Sequence, residues 1–148
     1  MKQYLSYNSP IGKITIFSDG KAITALAFGA TSGGEETPLI KEAYKQLDEY
    51  FNNKRKSFDI PLNPKGTDFQ KKVWNALQNI SYGKTKCYED IAKEINNEKA
   101  CRAIGNANNK NPLPIFIPCH RVIGKNGKLV GYAGGLDVKT KLLEIEKQ

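Results

Sequence analysis

Residues 88–109, YEDIAKEINNEKACRAIGNANN, decide the fold of the second half of this chain. The apolar residues of the first part fall on one face of a helix that we predict from about Tyr88 to Ile95. Asn96-Asn97 predicts a turn, and a second short helix is predicted from about Lys99 to Asn109. Two short helices joined by a turn of three or four residues have the proportions of a helix-turn-helix.

The second of these helices carries small residues beside polar ones. Small residues would let the helix backbone approach DNA closely, and an arginine such as Arg102 could then enter a groove or contact phosphates. The same composition also suits a helix that packs tightly inside the protein. Both interpretations stay open on this pattern alone.

Further helices flank this pair. Thr67-Asp68-Phe69-Gln70 is a capping-box pattern that begins a helix with an apolar stripe, ending near Ser81. Leu136 to Gln148 predicts an amphipathic C-terminal helix, with Val138, Leu142 and Leu143 facing inward.

The first sixty residues predict a small sheet and one helix. Alternating or β-branched apolar residues mark strands at Gln3–Tyr7, Lys13–Phe17 and Ile23–Phe28, and helical spacing begins at Leu39. Composition shifts after the connector Pro61–Gly66. We therefore expect an α/β (α+β) protein with an N-terminal supporting domain at 1–62 and a mainly helical C-terminal domain at 63–148.

The charge of the chain is concentrated in its second part. Residues 1–63 hold eight Lys/Arg and seven Asp/Glu, a net charge of +1, whereas residues 64–148 hold fifteen and eight, a net charge of +7. Basic residues bind polyanions by releasing the counterions condensed on phosphates, so a nucleic acid is the natural partner. A merely lysine-rich surface would give the same count.

Several classes of protein are disfavoured by composition. No apolar stretch approaches the ~20 residues that span a bilayer, and the first residues lack the apolar core of a signal peptide. We expect a cytoplasmic protein. Three cysteines without an export signal make a disulfide framework improbable. One histidine and no CxxC pattern leave too few ligands for the usual structural zinc sites, so we expect no metal.

Chemistry is best supported at Pro118-Cys119-His120-Arg121-Val122, where a thiol stands beside the single histidine of the chain. A free thiol has a pKa of ~8.5 and becomes a strong nucleophile only when a neighbour removes its proton. Residues 115–117 before it predict a buried apolar run.

Arg121 is interpreted as a structural brace in preference to a phosphate ligand. Cys87 and Cys101 lack an adjacent base and are interpreted as small buried hydrophobic residues.

Residues 111–123, NPLPIFIPCHRVI, followed by residues 131–136, GYAGGL, resemble the O6-alkylguanine-DNA alkyltransferases. The resemblance is strong over residues 64 to 148 and weak over residues 1 to 60. It implies an RNase H-like fold for the N-terminal domain and a stand-alone, monomeric DNA-repair protein that needs no cofactor. The implied reaction is the irreversible, stoichiometric transfer of an alkyl group from O6-methylguanine, and from O4-methylthymine, in double-stranded DNA to Cys119 after nucleotide flipping.

The resemblance also implies roles for individual residues. His120 takes the thiol proton, through a water in our interpretation, Glu146 orients the histidine, and Tyr88 donates a proton to the departing base. Arg102 fills the gap left by the extruded nucleotide, and the DNA-facing helix further implies contacts from Ala103, Asn106 and Lys110. The pocket is implied to be formed by Asn111, which ties the active-site turn, and by Pro114, Val122, Tyr132 and Ala133.

Residue patterns alone leave simpler alternatives for these positions. Glu146 would equally be a solvated acid near a frayed terminus, and Tyr88 an ordinary core tyrosine. Two other functions also fit the motif: a DNA-lesion sensor without transfer, and a cysteine hydrolase using Cys119, His120 and Glu146. The chain departs from the family pattern at Ser81 and Cys87, and at Asn106 and Asn108, which make the DNA-facing helix more polar.

Overall fold

The computed structural model describes residues 3–124, 132 and 134–147. The chain divides into two compact units, Met1–Lys65 and Gly66–Gln148, and this division lies three residues beyond the predicted boundary. The first unit is a sheet with one helix and the second is mainly helical. The predicted α/β (α+β) fold class is confirmed.

The first unit is an antiparallel sheet covered by one helix. Strands β1 (Tyr4–Ser9), β2 (Gly12–Ser18) and β3 (Ile23–Phe28) pair in the order β1-β2-β3. Gly12, with a φ of 100°, allows the tight reversal between β1 and β2. Helix α1 (Pro38–Phe51) contacts all three strands, and the Thr37 hydroxyl caps its first turn by accepting from the Ile40 N–H at 3.2 Å.

The core of this unit is formed by the middle of the sheet and by one face of α1, as helical periodicity predicts. Its wholly buried residues are Ile14, Thr15, Ile16, Ile23, Ile40, Ala43, Leu47 and Tyr50. Strict alternation fails in β2, because the Thr15 hydroxyl is buried between two isoleucines and donates to the Gly29 carbonyl at 2.9 Å.

The second unit begins with helix α2 (Asp68–Gln78), and the capping box that the sequence predicts at its start is present. The Thr67 hydroxyl accepts from the Gln70 N–H, and the Gln70 side chain accepts from the Thr67 N–H in return. One face of α2 is buried through Val73, Trp74 and Leu77. The Trp74 indole N–H donates to the Ala107 carbonyl at 2.9 Å and so joins α2 to a later helix.

The helix-turn-helix is formed by α3 (Tyr88–Glu94) and α4 (Cys101–Asn109), which contact each other and α2. Asn96, with a φ of 57°, makes the turn between them. Helix α4 starts two residues later than predicted, because no side chain caps it at Ala100. A 3₁₀ turn (Cys119–Arg121) and helix α5 (Leu136–Glu146) complete the unit.

Helix α5 buries Leu142 as predicted, but the rest of its buried face differs from the prediction. Its buried residues are Lys139, Leu142 and Glu146, whereas Val138 and Leu143 are only half-buried. The prediction assumed that only apolar side chains face inward. Lys139 and Glu146 are buried instead, because both charged groups have hydrogen-bond partners inside the unit. Within the described ranges, no helix has the length and apolar content needed to cross a membrane.

Candidate active site

The segment that carries Cys119 is held in shape by one side-chain amide. Asn111 Nδ2 donates to the Ile117 carbonyl at 2.8 Å, and its Oδ1 accepts from the Leu113 N–H at 2.9 Å. These two bonds close a loop in which Ile115 takes a φ of 77°, a strained value for a β-branched residue. The run from Leu113 to Val122 is buried throughout, which confirms the predicted apolar run at 115–117. The sulfur is therefore presented from rigid, buried backbone.

Cys119 is 4% exposed and lies at the first position of the 3₁₀ turn. Burial raises the pKa of its thiol to about 11, although a hydrogen bond from Asn111 and the positive charge of Lys139 act in the opposite direction. At neutral pH the resting sulfur is thus a thiol. It needs a partner that removes the proton before it can act as a nucleophile.

A histidine–carboxylate pair stands next to the thiol in the chain. His120 Nε2 lies 2.5 Å from Glu146 Oε2, and the two side chains are 0% and 2% exposed. Since an ionised carboxylate can only accept, Nε2 carries the hydrogen and Nδ1 carries the lone pair in the neutral ring. Burial lowers the pKa of His120, and the bond to Glu146 offsets part of that effect. This arrangement can hold an imidazole ready to accept a proton.

Arg121 braces the same carboxylate. Its Nε donates to Glu146 Oε1 at 2.8 Å, its Nη2 to Oε2 at 3.1 Å, and its Nη1 to the Ile80 carbonyl at 2.6 Å. The Gly83 N–H also donates to Glu146 Oε1, at 3.1 Å. The predicted structural role of Arg121 is confirmed. The alternative for Glu146, a solvated acid near a frayed terminus, is wrong because four donors surround it inside the unit.

Lys139 is a buried cation that the sequence analysis missed. It is 0% exposed, and its Nζ donates to the Val122 carbonyl at 2.6 Å. Its charge lowers the pKa of Cys119, while burial lowers its own pKa. A signal was available, since residues 139, 142 and 146 share one face of a helix. The inward position of Lys139 was overlooked because only apolar residues were expected on the buried face of the helix.

Two tyrosines interact electrostatically with the sulfur. Burial raises the pKa of Tyr88, and so does the nearby Cys119, which would carry negative charge as a thiolate. The same two causes raise the pKa of Tyr132 well above its usual value. Both phenols are therefore neutral hydrogen-bond donors at physiological pH. Helix α4 approaches Tyr88 closely at Gly105, where a Cβ would lie 3.4 Å from the tyrosine ring.

The remaining predicted residues fall into two groups. Arg102, Ala103 and Asn106 lie on the exposed side of α4, and Lys110 is exposed at its end. Pro114 and Val122 are buried with the Cys119 segment, and Tyr132 is half-buried with a buried hydroxyl. Ala133 lies outside the described residues. The structure thus groups the thiol with Tyr88, Tyr132 and Asn111, and it places the His120–Glu146 pair at the next residue of the same 3₁₀ turn. A separate exposed face is presented on α4.

The interpretation of Cys87 and Cys101 as buried hydrophobic residues is wrong. Both are half-exposed. Cys87 occupies the N-cap of α3, where its Sγ donates to Asp90 Oδ2 at 3.4 Å, because that position begins the helix and faces solvent. Among the described residues, no group of three or more His, Cys, Asp or Glu could hold a metal ion.

Comparison with known proteins supplies the family. A family model described as 6-O-methylguanine DNA methyltransferase, ribonuclease-like domain, matches residues 2–64, and one described as 6-O-methylguanine DNA methyltransferase, DNA binding domain, matches residues 68–148. The chain is 49% identical to a methylated-DNA–protein-cysteine methyltransferase of Methanosarcina acetivorans, with 97% of each covered. It is 45% identical to the constitutive protein of that name from Bacillus subtilis, covering 99% of this chain and 96% of the relative.

Solved structures agree with these matches. The crystal structure of Mycobacterium tuberculosis OGT in complex with DNA superposes with a TM-score of 0.90 at 43% identity, covering 98% of this chain and 92% of that one. The crystal structure of Mycobacterium tuberculosis O6-methylguanine methyltransferase superposes with a TM-score of 0.88 at 42% identity, covering 99% and 93%.

The buried carboxylate yields a stability prediction. Glu146→Ala should lower the free energy of unfolding by about 3–5 kcal/mol, because it leaves the buried Arg121 guanidinium without its counter-ion. The matched control is Glu144→Ala, two residues away on an exposed position of the same helix, which should change stability by less than about 0.5 kcal/mol. Urea unfolding followed by circular dichroism measures both. Equal losses for the two variants would contradict the buried network.

The buried lysine yields a reactivity prediction. Lys139→Met should raise the pKa of Cys119 above its value of about 11, because it removes a nearby positive charge. At fixed pH between neutrality and that pKa, the rate of alkylation of Cys119 by a small reagent should then fall ~3–10-fold. Mass spectrometry at this cysteine measures the rate. Lys141→Met removes an exposed charge from the same helix and should leave the rate unchanged; a similar fall there would refute a specific effect of Lys139.

Proposed function

Because this chain belongs to the 6-O-methylguanine DNA methyltransferase family, we propose that it repairs alkylated DNA by moving the alkyl group from guanine O6 to its own Cys119. The observation that carries this proposal is the buried thiol beside the Nε2-bonded His120–Glu146 pair, in the unit that also contains the helix-turn-helix. Each protein molecule is consumed once, because the thioether product offers no easy leaving group.

The chemical step needs a thiolate in line with the alkyl carbon. The thiol proton passes to His120 Nδ1, directly or through a water, and the sulfur electron pair forms the new S–C bond. The C–O bond breaks and its electron pair stays with the guanine. The purine gains one proton in exchange, so the thiol hydrogen and the alkyl group trade places overall. No oxidant, reductant or cofactor is required.

Neighbouring groups lower the barrier in distinct ways. Glu146 stabilises the imidazolium that forms on His120, and the charge of Lys139 stabilises the thiolate. Tyr88 is a neutral donor beside the sulfur and supplies a proton or hydrogen bond to the departing base. This last role explains why a tyrosine is useful at the start of α3.

DNA binding is assigned to the exposed face of α4. Arg102, Ala103, Asn106 and Lys110 share that side, in the half of the chain with a net charge of +7. A damaged base inside a duplex cannot reach a buried sulfur, so the nucleotide has to leave the stack. Arg102 is exposed and long enough to occupy the space that the extruded base leaves.

We further propose that the protein acts as a monomer in the cytoplasm.

The pocket for the extruded base is assigned to the residues around the Cys119 segment. Pro114 and Tyr132 wall it, and backbone groups of Cys119 and Val122 read the guanine edge. Asn111 keeps the turn in place through its two amide bonds. The Val122 carbonyl is already engaged by Lys139, which fixes its direction.

The central test is a mass measurement. Incubation with a duplex carrying O6-methylguanine should add one CH₂ to the protein, localised to Cys119, with no more than one group transferred per molecule. Cys119→Ala should abolish transfer and retain DNA binding, whereas Cys87→Ala should keep transfer. Binding of the damaged duplex without an adduct would indicate a lesion sensor, and repeated turnover of an ester or peptide would indicate a hydrolase. Either result would refute the proposal.

The role of Arg102 has its own test. Arg102→Ala should slow transfer from a duplex by about tenfold or more, because unstacking the base costs a few kcal/mol. Transfer from the free modified base should change much less. Lys99→Ala, which removes an exposed charge near the same helix, is the control for lost affinity and should not alter the ratio of the two rates. Equal losses on both substrates for Arg102→Ala would remove the extrusion role.

A further inference from the structure

Asn108 is a buried polar residue on α4 whose side-chain oxygen, Oδ1, is unsatisfied. It is 2% exposed, and among the described residues no hydrogen-bond donor reaches its Oδ1. Leaving a buried acceptor unpaired is costly, so such groups are uncommon and invite an explanation. The other buried residues of α4, Ile104 and Ala107, are apolar. An apolar residue at 108 would thus suit the core better than asparagine.

The position of Asn108 connects it to the alkyl-acceptor site. Gly105 precedes it by three residues on the same face of α4, and that face meets the Tyr88 ring. Asn111 follows it by three residues, and the Asn111 backbone N–H donates to the Asn108 backbone carbonyl at 3.4 Å. Cys119 raises the pKa of Tyr88, and the Asn111 side chain hydrogen-bonds the Cys119 sulfur. Asn108 therefore lies on the face of α4 between Tyr88 and Asn111, two residues that interact with the Cys119 sulfur.

From this placement we propose that Asn108 is a specificity-determining residue for the alkyl group. Its Oδ1 accepts a hydrogen bond from the hydroxyl of a hydroxyalkyl substituent on guanine O6, a bond that a purely aliphatic substituent cannot make. The inference rests on the proposed function, since it concerns the group that is transferred to Cys119. It adds the substrate class that this chain prefers among larger O6 substituents.

The physical basis is the asymmetry of hydrogen-bonding sites. A site with a buried acceptor favours a ligand that donates to it and disfavours an analogue that leaves it unpaired. The 2-hydroxyethyl and propyl groups have the same number of heavy atoms, so they fill similar volumes and differ at the terminal atom. Their comparison isolates the hydrogen bond from size.

The experiment measures single-turnover transfer from duplexes carrying O6-(2-hydroxyethyl)guanine or O6-propylguanine. The ratio of the two rates is compared between the natural protein and Asn108→Leu, so that the intrinsic reactivities of the two alkyl groups cancel. We expect the ratio of hydroxyethyl to propyl transfer to fall about fivefold in the variant, the size of one net hydrogen bond. Methyl transfer should continue. Asn109→Leu, at the next and exposed position of α4, is the matched control and should keep the natural ratio.

Folding is monitored separately by thermal unfolding. Asn108→Leu removes an unpaired buried acceptor, so its melting temperature should equal or exceed that of the natural protein, and Asn108→Met serves as a second apolar variant. An unchanged ratio in both apolar variants would overturn the inference, as would an equal fall in Asn109→Leu. A natural protein that transfers no methyl group would instead refute the proposed function, so the two failures are distinguishable.

Discussion

The Glu146 carboxylate is the interaction on which the second unit depends. It accepts from His120, from Arg121 and from the Gly83 N–H, which come from the 3₁₀ turn and from the loop after α2. Two distant parts of the chain are thereby fixed to the last turn of α5. A buried charge is tolerated only when its pairing is complete, and here every partner also defines the site. Stability and chemistry thus rely on the same two oxygen atoms.

The thiol and the imidazole beside it in the chain are each held in a defined protonation state. Burial keeps Cys119 protonated, while the imidazole beside it is held in the tautomer that can accept a proton. The sulfur is therefore unreactive towards solutes that do not enter the site. For a protein whose acceptor sulfur reacts only once, such protection limits wasteful alkylation at Cys119. Lys139 moderates the effect, so that the thiolate remains attainable once a substrate excludes water.

Much of the fold could be predicted because its signals are local. The strands, the capping box at Thr67 and the helix-turn-helix proportions all depend on neighbours within a few residues. The site was harder, since the bond between Gly83 and Glu146 spans 63 residues and no periodicity reports it. The inward faces of Lys139 and Asn108 were missed for another reason: helical spacing groups them with Leu142 and Ile104, but their polar side chains were assumed to face solvent. Roles for Tyr88 and Arg102 came from the family resemblance, because a tyrosine at a helix start looks like any core tyrosine.

The indole of Trp74 has a consequence for observing the molecule at work. It is the sole tryptophan of the chain, it is 1% exposed, and it is tied to the backbone of α4 at Ala107. Any displacement of that helix alters the polarity around one chromophore whose emission is not mixed with that of another tryptophan. The protein consequently carries an intrinsic optical reporter of movement in α4, the helix that bears the surface assigned to the duplex.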